Sequence, residues 1–84
     1  MVKMKAYVLL NAELGQEASI IDALKGVKEI TNIYSLYGIY DLLIEMEAES
    51  MDRVKEIVFN SVRRLDHVKS TITLLTYGKP VINE

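Results

Sequence analysis

Two apolar, strand-like runs, Ile30 to Tyr37 and Asp41 to Met46, stand next to each other in this chain. Only about three residues part them, and so short a connection forces an antiparallel hairpin. Everything else in the chain must be arranged around that hairpin. Its connection is centred on Gly38, which can adopt turn conformations that a side chain forbids and lets another molecule come close to the main chain. Asp41 then opens an otherwise apolar strand, where a charge is costly unless something pairs with it.

The flanking segments repeat one pattern on both sides. Met4 to Ala12 is rich in Val, Leu and Tyr and runs into Glu13-Leu14-Gly15, which reads as strand then turn. From Gln16 to about Val27, the residues Ile20, Leu24 and Val27 recur at i, i+4 and i+7, the spacing of an amphipathic helix. Gly26 falls in its last turn. Ser50 is a good N-cap for a second helix reaching about Leu65, with Val54, Ile57, Val58, Val62 and Leu65 as its buried stripe. A last strand, dense in Thr, Ile and Leu, spans Val68 to Tyr77 before Gly78 and Pro80 end the regular fold. The order is β-α-β-β-α-β. Right-handed crossovers place both helices on one face of a four-stranded antiparallel sheet. This is an α+β, ferredoxin-like sandwich, predicted as one domain over 1–84 with an ordered core over 3–78 and a tail over 79–84.

A chain of 84 residues that is 50% hydrophobic has a problem of coverage. A body this small buries only ~60% of its unfolded surface. The first strand alternates Met4, Ala6, Val8, Leu10 with Lys5, Tyr7, Leu9, Asn11. The last alternates Val68, Ser70, Ile72, Leu74 with Lys69, Thr71, Thr73, Leu75, Tyr77. Neither strand has a cleanly polar side, as a sheet facing water would. Tyr and Thr mixed with Leu suit an interface between proteins. A homodimer packed sheet to sheet, an α+β barrel dimer, is the expected unit, with Leu9 and Leu75 in the interface.

Charge and composition exclude several classes of function. Ten basic residues stand against twelve acidic ones, and the basic ones make no stripe, so direct nucleic-acid binding is not expected. The apolar run after Met1-Val2-Lys3 stops at Asn11 without a small-residue cleavage site, and nothing is long enough to span a membrane. A soluble, cytoplasmic protein with no membrane partner is expected. The absence of cysteine removes disulfides and thiolate metal sites.

Catalysis has little to work with. His67 is the single histidine; Asp66 precedes it, but adjacent residues rarely point at the same atom, and both suit an ordinary helix-to-strand turn. Neither a phosphate-binding Gly loop nor metal-ligand spacing is present, so no catalytic residue, metal or cofactor is expected. Glu45, Glu47 and Glu49 alternate as on a solvated edge. The Gly38–Asp41 turn is different, because Tyr34, Tyr37 and Tyr40 cluster around it. A plain hairpin turn would need only the Gly and the Asp. An Asp beside open backbone N–H groups also matches a free α-amino acid: the carboxylate accepts from the ammonium while turn amides donate to the carboxylate of the ligand.

The stretch Ile30-x-x-Ile33-Tyr34-x-Leu36-x-Gly38-x-Tyr40-Asp41-Leu42-Leu43-Ile44 resembles the strand-turn-strand signature of the leucine-responsive/asparagine regulator (Lrp/AsnC) family. Leu65-x-x-Val68-x-x-Thr71-x-Thr73 is similar to that family's helix end and final strand. The resemblance implies an effector-binding domain that dimerises through its sheets, with dimers assembling into an octamer and amino-acid effectors lying between dimers. Gly38, Ile39, Tyr40 and Asp41 would then form one wall of the ligand site, and Thr71, Thr73 and Leu75 the opposing one. Tyr37 departs from the Thr or Ser usual before the Gly in that family, and a phenol there would narrow or fill the site. Without a helix-turn-helix ahead of it, the chain is expected to be a stand-alone amino-acid sensor, reaching transcription through effector binding or through full-length Lrp/AsnC-family regulators.

Two other readings share the frame. An ACT-like amino-acid-binding domain would place a Gly-rich ligand loop after the first strand, where Glu13-Leu14-Gly15 is a weak match. A small dimeric α+β-barrel enzyme of the monooxygenase type would need a cavity lined by catalytic His, Tyr or Asn. An oligomerisation adaptor with a closed pocket is the plainest alternative.

Overall fold

The computed structural model describes residues 3–82. Four strands and two helical segments follow in the predicted order: β1 (Met4–Ala12), α1 (Glu17–Leu24), β2 (Ile30–Ser35), β3 (Leu42–Ala48), α2 (Met51–Ile57), and β4 (Val68–Leu75). The sheet is antiparallel throughout, in the spatial order β2-β3-β1-β4. The first strand therefore lies in the middle and the last at an edge. This is the ferredoxin-like α+β arrangement expected from the pattern.

One face of the sheet carries the core. Ala6, Val8 and Leu10 of β1 and Leu42, Ile44 and Met46 of β3 are fully buried there, against Ile20 and Leu24 of α1 and Val54 and Ile57 of α2. Apolar residues at every second strand position meet apolar residues at helical spacing, which is how each element hides its one greasy side. No charged or polar side chain is buried in this core among the described residues.

Several boundaries move. The first helix stops at Leu24 rather than Val27, with Val27 N–H donating to the Leu24 carbonyl in a final turn that leaves Gly26 outside the helix. The two hairpin strands are also shorter at the turn, so residues 36–41 form the connection, closed by Leu36 N–H donating to the Asp41 carbonyl (2.9 Å). Ser50 caps α2 as expected, its hydroxyl accepting from Arg53 N–H at 3.1 Å. Beyond Ile57, however, the helix widens into a π-helical turn over Val58–Val62, where Arg63 N–H reaches the Val58 carbonyl five residues back (2.8 Å). The last strand ends at Leu75. Residues 79–82 of the expected tail carry no regular structure, and its final residues, 83 and 84, lie outside the described residues.

The other face of the sheet is open. Register puts Tyr34, Leu43, Leu9 and Ile72 in one row across all four strands. Tyr7 and Leu74 pair in the next row. Tyr34, Ile72 and Leu74 are 48%, 42% and 49% exposed, so this apolar stripe is only partly covered by the chain itself. Leu75 does not belong to it. Paired with Ala6, whose side chain points to the core, Leu75 lies on the helix side of the sheet, and its expected place beside Leu9 is corrected. Ile72, Leu74 and Leu75 are apolar on both parities of one strand, so alternation alone could not choose its inner side.

Candidate functional site

The hairpin connection projects from one end of the sheet. Gly38 has φ +143°, a conformation that side chains rarely adopt, although a Cβ there would meet no neighbour. The requirement for glycine is thus one of backbone angle and not of space. Tyr37 and Ile39 on either side are almost entirely exposed, whereas Tyr40 and Asp41 are half-buried. Tyr37 therefore fills no cavity within its own chain.

Asp41 has a partner that the sequence did not disclose. Its backbone N–H donates to the Leu10 carbonyl (2.9 Å), continuing the β1–β3 ladder by one bond. Its carboxylate Oδ2 accepts from Ala12 N–H at 2.7 Å. The reason lies in the register. Leu10 pairs with Leu42, the first residue of β3, so Ala12, two residues on, has no β3 backbone opposite it. The aspartate side chain takes the place of the missing carbonyl, and a carboxylate makes that bond charge-assisted. Oδ1 has no hydrogen-bond partner among the described residues.

The same end of the sheet gathers further polar groups. Glu13 N–H donates to the His67 carbonyl (2.9 Å), and Glu13 Oε1 lies 3.0 Å from His67 Nδ1. Asn11 Nδ2 donates to Ser70 Oγ at 3.3 Å. His67 is thus a clasp between the β1–α1 and α2–β4 connections. Glu13 and His67 are 54 residues apart, and only the adjacency of the β1 end with the β4 start brings them together. Among the described residues no group of three or more His, Cys, Asp or Glu side chains could hold a metal ion.

Of the residues singled out from the sequence, Gly38, Ile39, Tyr40 and Asp41 are contiguous at this end. Thr71, Thr73 and Leu75 stand on β4, on the far side of β1 from the hairpin and facing the helices. Thr71 shares a row with Leu10 and Leu42, about 10 Å from the latter across two strand spacings. Leu75 is four residues further along the strand, about 13 Å more distant. One chain does not close these two sets around a common pocket. A site using both would take one from each of two chains.

The sizeable clefts lie along α2. One, of about 500 Å³, is flanked by Lys28, Glu29, Thr31 and Arg53. There Arg53 Nε donates to Glu29 Oε2 at 2.8 Å, while Glu29 Oε1 is buried without a partner. The hydrogen bond from Arg53 holds the Glu29 carboxyl below its usual range, against the opposing effect of its burial. Arg53 also pairs with Glu56, one turn along the helix. Two more clefts, of about 550 and 410 Å³, share Val58, Arg63 and Thr73 and run between the π-helical turn and β4.

The chain is a β-α-β-β-α-β unit with an open, apolar sheet face and a Gly-turn-Asp end. The particular family is shown by comparison: residues 5–83 match the Lrp/AsnC ligand binding domain, and the chain belongs to that family. The regulatory protein AsnC of Escherichia coli is 27% identical over 64 residues, which cover 76% of this chain and 42% of that protein. The chain thus spans less than half the length of the curated relatives it matches. The solved structure of AsnC superposes with a TM-score of 0.86 at 21% identity, over 96% of this chain and 55% of AsnC. FFRP-DM1 superposes with a TM-score of 0.83 at 22% identity, over 88% of this chain and 99% of FFRP-DM1. The transcriptional regulator NMB0573 of Neisseria meningitidis, in its L-Met complex, gives 0.81 at 13% identity, over 90% and 51% of the two chains. These likenesses establish the fold. The family is that of a ligand-binding domain, and the curated relatives it matches are regulatory proteins.

Proposed function

We propose that this chain is an amino-acid-sensing and oligomerisation domain that modulates transcription, and that it does so as a dimer packed through the open face of its sheet. The observation that carries this reading is the row Tyr34–Leu43–Leu9–Ile72, an apolar band crossing every strand of an Lrp/AsnC ligand-binding domain. Such a band, half exposed in a single chain, is the surface that a second copy covers. Dimers assemble further to an octamer through their hairpin ends, a reading that the exposure of Tyr37 and Ile39 supports.

The effector is a free amino acid, with no cofactor required. Asp41 Oδ1 accepts from the ligand ammonium and the Gly38–Tyr40 backbone donates to its carboxylate. The L-Met complex of the similar regulator NMB0573 supports this chemistry. In the cytoplasm the domain works as a homo-oligomer or in mixed assemblies with full-length Lrp/AsnC-family regulators, which supply the contact with DNA.

Calorimetry with the twenty amino acids tests the reading. At least one should bind, and Asp41→Asn should weaken it more than tenfold while the variant stays folded, as truncating one side of a desolvated charged pair does. Unchanged binding to Asp41→Asn would move the site away from the turn. No binding by the parent would leave an oligomerisation module as the function.

A further inference from the structure

The groove between α2, the π-helical turn and β4 lies on the opposite side of the sheet from the proposed dimer face, along the edge strand β4, which β1 separates from the hairpin strands. Its outer lip is Lys55, Phe59 and Arg63, spaced four residues apart on successive turns and so aligned along one side of the helix. Phe59 is 61% exposed, an unusual place for the chain's single phenylalanine. The floor is the helix side of β4, from Thr71 at one end to Leu75 at the other. The two ends differ in chemistry. Arg63, Lys69 and Thr71 make one end cationic, with a hydroxyl beside the charges. Val54, Phe59 and Leu75 make the other apolar.

No acidic side chain lines either cleft. Among the described residues, Lys55, Arg63 and Lys69 take part in no ion pair. The π-helical turn runs along the same groove, with Arg63 N–H bonded to the Val58 carbonyl. Such turns are rare and occur frequently at functional sites. From Thr71 to Leu75 the floor is about 13 Å long, enough for a carboxylate head and a chain of several methylenes. Each cleft falls within the usual size of small-ligand sites.

We propose that this groove is a second ligand site, for an apolar monocarboxylate that lacks an α-ammonium group. Arg63 and Lys69 hold the head, with Thr71 donating beside them. Phe59 and Leu75 cover the apolar tail. The ammonium of an amino acid would face three cations here and no acceptor carboxylate, so the groove selects against amino acids, whereas the Asp41 turn selects for them. The chain then distinguishes an amino acid from a deaminated acid by two sites of opposite charge.

Titration calorimetry with octanoate, 2-aminooctanoate and octylamine tests this on the whole chain. Octanoate should bind saturably, one per chain, and the two amines at least tenfold more weakly. Arg63→Gln should weaken octanoate about tenfold or more, the effect of losing one charged hydrogen-bond partner. Phe59→Ser, an exposed position, should weaken it independently of charge. Asp41→Asn should leave octanoate binding intact, which separates this site from the amino-acid site whatever the fate of the latter. Absence of saturable octanoate binding, equal binding of 2-aminooctanoate, or indifference to both Arg63→Gln and Phe59→Ser would overturn the proposal.

Discussion

Neighbouring residues of β1 have opposite fates. Ala6, Val8 and Leu10 are fully buried beneath the helices, while Tyr7 and Leu9 between them stay half-open on the far side of the sheet. Across the strands the contrast repeats: Val8 lies between Ile44 and Thr73, and Leu9 between Leu43 and Ile72. Both sides are apolar at their centre, but only one finds its cover within the chain. The hydrophobic content of the sequence therefore measures two things at once, a core completed by two helices and a band that, in the proposed dimer, a second molecule completes.

The contrast is broken most severely from the closed side. Leu10→Ala should cost about 2–5 kcal/mol, since a fully buried leucine leaves a cavity that rigid neighbours refill poorly. Urea unfolding should show it, and a loss below 1 kcal/mol would mean the core is far looser than its burial implies.

On the open side the loss should fall on association. Leu9→Lys places a charge in the apolar row, forfeiting roughly 1.5–3 kcal/mol of burial per chain and the desolvation of the ammonium besides. Light scattering should find monomers or weakened dimers, whereas Leu75→Lys, on the helix side, should leave the association state unchanged. Equal effects of the two would erase the distinction between the faces.

Asp41 stands where the two faces meet at the end of β1. Replacing it with Ala removes the acceptor of Ala12 N–H and should cost about 1–3 kcal/mol even without ligand. Asp41→Asn, which keeps an acceptor oxygen, should lose less. Thermal melts that rank these two the other way would show that the Ala12 bond does not steady the strand.

The smallest effect is confined to acid. The Glu29 carboxyl, held below its ordinary value of 4.5 by Arg53, favours the folded state fully above that value. The contribution fades as pH falls through the lowered folded value, because the unfolded chain binds the proton more readily. Glu29→Gln should thus be slightly less stable than the parent at neutral pH, and the gap should close in acid. A gap that widens on acidification would contradict the ion pair.

Much of this architecture was legible in the residues. The bounds of β1, the Ser50 cap and the β-α-β-β-α-β order follow from alternation, helical spacing and capping chemistry, all local signals. The hairpin connection proved longer because the strand propensity of Leu36 and Tyr37 outruns the ladder, which ends with the bond from Leu36 N–H to the Asp41 carbonyl. The π-helical turn left no mark, since Val58 to Val62 contains neither Gly nor Pro and keeps an ordinary apolar spacing. At the site, the turn residues were visible and the Asp41–Ala12 bond was not. It depends on where the β1–β3 ladder ends, a property of two strands 30 residues apart. The same limit hid the side taken by Leu75.

The central place of β1 has a consequence in time. Within this domain Met4–Ala12 leaves the ribosome before the other strands, yet one of its two neighbours, Val68–Leu75, leaves after them all. Closing that pair spans some sixty residues and cannot begin until nearly the whole domain has been synthesised. Contacts so distant along the chain slow folding. During that wait, β1 offers an apolar strand with one bare edge to any neighbouring nascent chain. On the proposed reading, a domain that pairs through the side chains of this strand first risks associating through its backbone, and the speed with which β4 docks decides which of the two encounters prevails.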